Sequence, residues 1–173
     1  MGEVIHLNPL VWTGKDPELW AIANEVVDPE IPVLTVVDLG IVRDIRKDGD
    51  ALEISITPTY SGCPAMDMIA TELKRAFSQR GFQHITVKSI LSPAWTTDWI
   101  SDEAKEKLRK YGIAAPEHTT ADKNVLLGKA KTVKCPRCGS EHTEMISNFG
   151  STACKALWKC NDCKEPFDYF KCI

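Results

Sequence analysis

The sequence predicts an α+β protein. A small mixed α/β domain, with a sheet of three or more strands packed by helices, precedes a short cysteine-rich domain held together by a metal. Three observations carry this reading. Helix start and stop signals frame apolar residues that recur at helical spacing. Leu52, Ile54 and Ile56 alternate with Glu53, Ser55 and Thr57, as in a strand with one buried face. Two matched turns, Cys135-Pro136-Arg137-Cys138 and Cys160-Asn161-Asp162-Cys163, stand in the tail.

Asp16-Pro17-Glu18 opens a first helix, with Asp16 as cap, Pro17 at the first helical position and Glu18 at the positive end. Leu19, Ile22, Ala23 and Val26 form its apolar face. Asp28-Pro29-Glu30-Ile31-Pro32 stops it, because two prolines forbid continuation. Residues 36–45 read as a strand, and Asp48-Gly49 as a hairpin turn leading to the alternating strand around Ile54. Residues 58–62 form a loop. Pro64 starts a second helix with Met66, Ile69, Leu73, Ala76 and Phe77 on one face, ended by Gly81. Ile85, Val87 and Leu91 mark a third strand. Ser101 caps a charged helix that runs to Tyr111, with Glu103–Lys107 and Glu106–Lys110 at supporting spacing.

The chain has 173 residues, which fits one domain of ordinary size and a small appendage. The expected partition is a domain over 1–115, a linker over 116–131 and a four-cysteine zinc ribbon over 132–173. The tail is too short to fold on its own core, so a metal serves as its staple. Each Cys-x-x-Cys turn brings two sulfurs to one side. Cys135, Cys138, Cys160 and Cys163 thus complete the tetrahedral thiolate shell that Zn²⁺ prefers, with iron the other metal the ligands admit. Gly139 suits the left-handed backbone that closes such a turn. Cys154 and Cys172 are left over. They admit four readings: small buried residues, a mutual pair, thiols for an iron–sulfur cluster, or Cys172 in place of one of the four metal ligands. Phe149, Trp158, Phe167, Tyr169 and Phe170 serve either as packing around the metal or as a docking patch.

Cys63 stands apart from the tail. As the cap of the second helix its sulfur would lie beside unpaired N–H groups and the positive end of the dipole, both of which favour thiolate. The competing reading is a buried cysteine acting as a small apolar residue. Asp28, Glu30 and Asp38 fall at element ends and are candidates to stand near it. Capping and turn chemistry is their alternative role.

Asp28-Pro29-Glu30-Ile31-Pro32, Val37-Asp38-Leu39-Gly40-Ile41, Thr57-Pro58-Thr59 and Gly62-Cys63-Pro64 resemble, in order and spacing, the cytosolic iron–sulfur assembly domain family over residues 16–112. The resemblance implies that Cys63 is the thiol concerned with cluster maturation, and that Asp28 and Glu30 are the acids of the family's first motif. The stretches 92–100, 135–140, 149–155 and 165–172 are similar to the D-subunit family of multicomponent phenylacetyl-CoA epoxidases. That likeness implies an accessory role in aerobic phenylacetate breakdown, in iron–sulfur maturation of the system. It implies a transient iron–sulfur cluster, and partners among the other epoxidase subunits, especially the [2Fe-2S] reductase, and among iron–sulfur proteins. The alternative is a docking scaffold without cluster transfer.

Other classes fit poorly. A di-iron bundle needs paired Glu-x-x-His motifs, and Glu3-Val4-Ile5-His6 has no second to match it; no dinucleotide fingerprint or nucleophile elbow is present either, so a non-catalytic subunit is expected. A net charge of −3 with mixed signs argues against nucleic acid. No apolar run reaches membrane-spanning length, and Met1-Gly2-Glu3-Val4-Ile5-His6 lacks the pattern of a signal peptide. Clustered reduced cysteines then place the chain in the cytoplasm.

Overall fold

The computed structural model describes residues 16–116 and 132–171. They divide into two compact units, split between Ser101 and Asp102. Most of the segment expected as a linker, and Cys172, lie outside the described residues.

The first unit opens with helix α1, Pro17–Ala23. Asp16 caps it by accepting the Glu18 N–H at 3.1 Å, and Pro17 sits in the first turn, as the sequence predicts. The regular helix ends three residues before Val26. Val26 and Val27 turn away, and Val27 forms a bridge to Thr35. Strands β1 (Val42–Asp48) and β2 (Ala51–Ile56) are an antiparallel hairpin, with Gly49 at φ 58° in the turn. Helix α2 (Ala65–Ser78) then carries the chain back so that β3 (His84–Ser89) runs parallel to β2. The sheet order is β1-β2-β3, and α2 packs against β3 and α1.

Residues 36–40 correct the longer strand expected over 36–45. They form tight turns, in which Leu39 donates to the Thr35 carbonyl and Gly40 to that of Val37. Asp38 explains the turn locally. Its Oδ2 accepts the Thr35 N–H at 3.1 Å, while its own N–H donates to Thr35 Oγ1 at 2.9 Å. This side-chain pairing competes with ladder bonds. Gly40 closes the turn at φ 65°.

The core of this unit joins Trp20, Leu34, Leu39, Ile41, Leu52 and Ile54 to the α2 residues Ile69, Leu73 and Phe77. Those three recur every four residues and so share one helix face. Beyond β3, a short 3-10 turn, Thr97–Trp99, holds Trp99 under the Arg43 guanidinium at 3.4 Å, and Trp95 Nε1 donates to the Leu39 carbonyl.

The second unit begins with helix α3, Asp102–Tyr111, whose exposed face is tied by Glu106 to Arg109 and Lys110. Its sheet has the order β4-β7-β6-β5, from β4 (Ile113–Ala114), β5 (Thr143–Ser147), β6 (Lys155–Cys160) and β7 (Pro166–Phe170). Strand β4 runs parallel to β7. It comes from the edge of the expected linker, where two buried residues gave no readable period. Of the tail aromatics, Trp158, Phe167, Tyr169 and Phe170 are buried, and Trp158 meets Tyr169 edge to face. Phe149 is exposed, with Lys171 over its ring at 4.2 Å. Among the described residues, no helix is long and apolar enough to cross a membrane.

Candidate metal centre and reactive thiol

The two Cys-x-x-Cys turns face each other at one end of the ribbon sheet. The Sγ atoms of Cys135, Cys138, Cys160 and Cys163 all lie within 4.8 Å of one another, with Cys135–Cys163 at 3.7 Å and Cys138–Cys160 at 3.5 Å. The turns are built alike. The Cys135 N–H donates to the Ser140 carbonyl and the Cys160 N–H to that of Glu165, so each loop closes on itself. Each places a left-handed residue directly after its second cysteine: Gly139 at φ 77° and Lys164 at φ 66°. Glycine accepts this backbone freely, whereas lysine adopts it under strain.

Hydrogen bonds tie one turn to the other. Ser140 Oγ donates to Asp162 Oδ2 at 2.5 Å, and the other oxygen of Asp162 is 3.1 Å from His142 Nδ1. The His142 N–H donates to Ser140 Oγ, and the Asn161 N–H to the His142 carbonyl. The Ser140 hydroxyl, with His142 second, holds the Asp162 carboxyl below its usual range. This latch was not legible in the sequence, because its members stand about twenty positions apart.

The sulfurs titrate unequally. The Cys163 N–H, more than any other neighbour, holds the Cys160 thiol down at about 6. Cys163 goes the other way: the Glu165 N–H lowers it, but burial and the sulfurs of Cys160, Cys138 and Cys135 prevail and push it up to about 12. Four crowded thiols cannot all ionise without a cation among them. A dication removes that conflict, since a coordinating thiol is deprotonated outright. The donor set is therefore that of a thiolate-bound zinc. Cys154 is not part of it. It is buried, with its sulfur 3.0 Å from Thr152 Oγ1, in the manner of a small core residue.

Cys63 lies in the first unit, in the loop between β2 and α2. The regular helix begins at Ala65 with Pro64 as its cap, so Cys63 precedes the cap rather than serving as it. The Ala65 N–H and the Tyr60 side chain hydrogen-bond to its sulfur, and both favour thiolate. Burial outweighs them and pushes the thiol up, helped by the charges of Glu30 and Asp28. The expected bias toward thiolate is therefore reversed: at neutral pH this half-buried sulfur holds its proton.

Asp28 and Glu30 thus act on Cys63 from the loop after α1. Asp28 also accepts the Glu30 and Ile31 N–H groups at 2.8 Å, which fixes that loop. Asp38 serves the turn with Thr35 described above. Two residues escaped the sequence reading. Tyr60 is one. The other is Thr57, 1% exposed, whose Oγ1 has no hydrogen-bond partner among the described residues. Such an orphan costs on the order of 1–3 kcal/mol and marks the loop as something other than plain core.

Comparisons with known proteins match this two-part layout. The family described as the PaaD zinc beta ribbon domain matches residues 119–171, and the family described as iron-sulfur cluster assembly protein matches residues 18–80. The chain is 49% identical over 156 residues to the candidate D-subunit of 1,2-phenylacetyl-CoA epoxidase from Escherichia coli (strain K12), a match covering 90% of this chain and 92% of that protein. This chain belongs to the D-subunit family of phenylacetyl-CoA epoxidases. It is also 39% identical over 84 residues to the Fe-S protein maturation auxiliary factor YitW of Bacillus subtilis (strain 168), covering 47% of this chain and 81% of that protein. A crystal structure of a DUF59 domain from Bacillus anthracis shares the fold. It matches with a TM-score of 0.50 and 31% identity, over 53% of this chain and 88% of that one.

Proposed function

We propose that this protein is a cytoplasmic, non-catalytic subunit of a phenylacetyl-CoA epoxidase system, and that it serves iron–sulfur cluster maturation there. Its working partners are the other epoxidase subunits, above all the [2Fe-2S] reductase. The unit that ends at Ser101 handles the cluster through Cys63, and the unit that carries the zinc ribbon recognises the assembly. The observation that carries this reading is the environment of Cys63, where two donors face the sulfur while burial and two carboxylates keep its proton on.

The chemistry is ligand exchange. As an iron of an incoming cluster binds Cys63 Sγ, its bond to a thiolate of the donor breaks, and the proton of the Cys63 S–H passes to that leaving thiolate. The metal's positive charge then offsets the nearby Glu30 and Asp28. The Ala65 N–H and the Tyr60 side chain stabilise the sulfur in its metal-bound form. When a client thiolate displaces Cys63 from that iron, the S–Fe bond breaks and Cys63 regains a proton from water. No electrons move. A thiol of raised pKa suits this task because the proton competes with iron for its sulfur and captures it once displaced.

The test is co-expression of the Cys63→Ala protein with the reductase, followed by iron and sulfide analysis of the purified reductase. Loss of most of its [2Fe-2S] content is expected. Full occupancy sinks the transfer reading and leaves a docking scaffold.

A further inference from the structure

We propose that the outer edge of the ribbon sheet is a self-association site, and that its occupant is a second copy of this chain related by a twofold axis. Met145, Ile146 and Phe149 make the contact. Glu144 of each copy closes it against Lys171 of the other. This goes beyond the maturation reading above and does not rest on it.

Strand β5 is the edge of its sheet, bonded to β6 on one side only. Edge strands are commonly blunted by charge, proline or a bulge, because their open backbone invites pairing with another chain. β5 has the bulge: its ladder to β6 shifts register between Met145 and Ser147, which leaves Ile146 as an extra residue. Yet it also exposes apolar side chains. Met145, Ile146 and, just beyond the strand, Phe149 are 53%, 54% and 65% exposed. A bulge re-aims side chains and interrupts the row of backbone groups that a further strand would need. It therefore selects contact through side chains over continuation of the sheet.

Phe149 is held in place for such a contact. Its N–H donates to Ser147 Oγ at 3.2 Å, which ties it to the end of β5. Lys171 Nζ lies 4.2 Å from its ring centroid and donates to the Asn148 carbonyl beside it. A ring already fixed loses little freedom on binding, and aromatic rings are frequent anchors of protein interfaces.

Charge selects the occupant. Glu144 precedes the apolar run, and Lys171 stands at its far end, on Phe149. Glu144 lies opposite Lys159 in the ladder but forms no ion pair with it, and Lys171 has no ion-pair partner among the described residues. A track that is acidic at one end, apolar along its middle and basic at the other is its own complement when turned through a twofold. From Glu144 to Phe149 is five residues, about 17 Å of extended chain. Two such tracks, side by side and antiparallel, bring each Glu144 to the other copy's Lys171 and set Ile146 near the axis. A twofold contact is built in this way, from one patch that meets itself. A uniformly acidic or basic partner satisfies one end and is repelled at the other. Three apolar side chains per copy make a small interface, so the pair is weak and reversible.

The experiment is sedimentation velocity of the full-length, zinc-loaded protein under reducing conditions, from about 1 µM to about 1 mM, the span in which weak pairs form. A monomer–dimer equilibrium is expected, and added salt weakens it. Phe149→Ser weakens it at least tenfold. Glu144→Lys and Lys171→Glu each do the same alone, but an equimolar mixture of these two variants associates to within threefold of the parent, because every charge then meets its opposite. Leu91→Ser, at a site 68% exposed in the first unit, changes nothing. One zinc per chain in every variant shows that the ribbon is folded. A parent that stays monomeric overturns the proposal, even where the same variants lose association with another epoxidase subunit, since the face then belongs to a foreign partner. Failure of the mixture to associate also overturns it, as does a loss from Leu91→Ser as large as that from Phe149→Ser.

Discussion

Removing the metal should unfold the ribbon and spare the rest of the chain. Among the described residues, the ribbon's buried cluster has eight members, but two are alanines and two are the cysteines Cys135 and Cys160. Val133, Trp158, Phe167 and Tyr169 are left as its large side chains, with Phe170 of β7 also buried. A core of this size comes out near zero net stability once about 1.5 kcal/mol of conformational entropy per ordered residue is set against it. A structural zinc site of the same ligand type contributes about 10–16 kcal/mol of apparent binding free energy near neutral pH. With the core near balance, the metal term decides the sign, so the metal-free ribbon is unfolded. The assay combines chelation under reducing conditions with limited trypsin digestion. Lys155 and Lys159 lie inside β6, and Lys155 is 6% exposed. Both sites become cleavable on chelation and are protected again by one equivalent of Zn²⁺. Meanwhile the unit ending at Ser101 keeps its far-ultraviolet dichroism. Continued protection of Lys155 with no metal bound would refute the reasoning.

Three further outcomes are expected. Asp162→Asn and Ser140→Ala, which break the latch between the two cysteine turns, speed zinc transfer to a colorimetric chelator about tenfold without changing the stoichiometry; rates equal to the parent's would show that the latch is idle. The Cys63 thiol, held above its usual range, alkylates slowly at neutral pH, because less of it is thiolate than in an ordinary cysteine. Glu30→Gln removes one of the charges that raise it, so the pH midpoint of alkylation moves down; an upward move or no move contradicts the electrostatic account. Gly150→Ala places a Cβ 2.7 Å from Asp168 Oδ1 and 3.3 Å from Lys155 Cβ, an overpacking worth about 1–3 kcal/mol, read as a lower chelator concentration at the ribbon's unfolding midpoint.

Much of the architecture was legible because its signals are local. Asp16-Pro17-Glu18 carries its own capping chemistry, and Leu52, Ile54 and Ile56 declare a buried face without reference to anything distant. The metal ligands are the clearest case, since two residues between cysteines suffice to turn both sulfurs the same way. What escaped depends on partners far along the chain or on local backbone bonding that composition does not reveal. Strand β4 exists only because β7 lies beside it. Residues 36–40 look like strand by composition, but Asp38 and Thr35 bond to each other's backbone and bend them. Lys164 takes the place a glycine fills in the first turn, so the likeness of the two turns was hidden. Cys63 shows the limit most plainly. Its neighbours along the chain argue for thiolate, and its spatial surroundings, burial with Glu30 and Asp28, decide for the protonated form.

The parallel pairing of β2 with β3 has a practical consequence. Gly49 and Asp50 precede β2 and the Cys63 loop follows it, so the hairpin and the thiol stand at opposite ends of a six-residue strand. That separation is about 20 Å. A peptide tag spliced between Gly49 and Asp50 would therefore tether the molecule to a sensor surface with its thiol end facing free solution, so that cargo hand-over could be watched one exchange at a time.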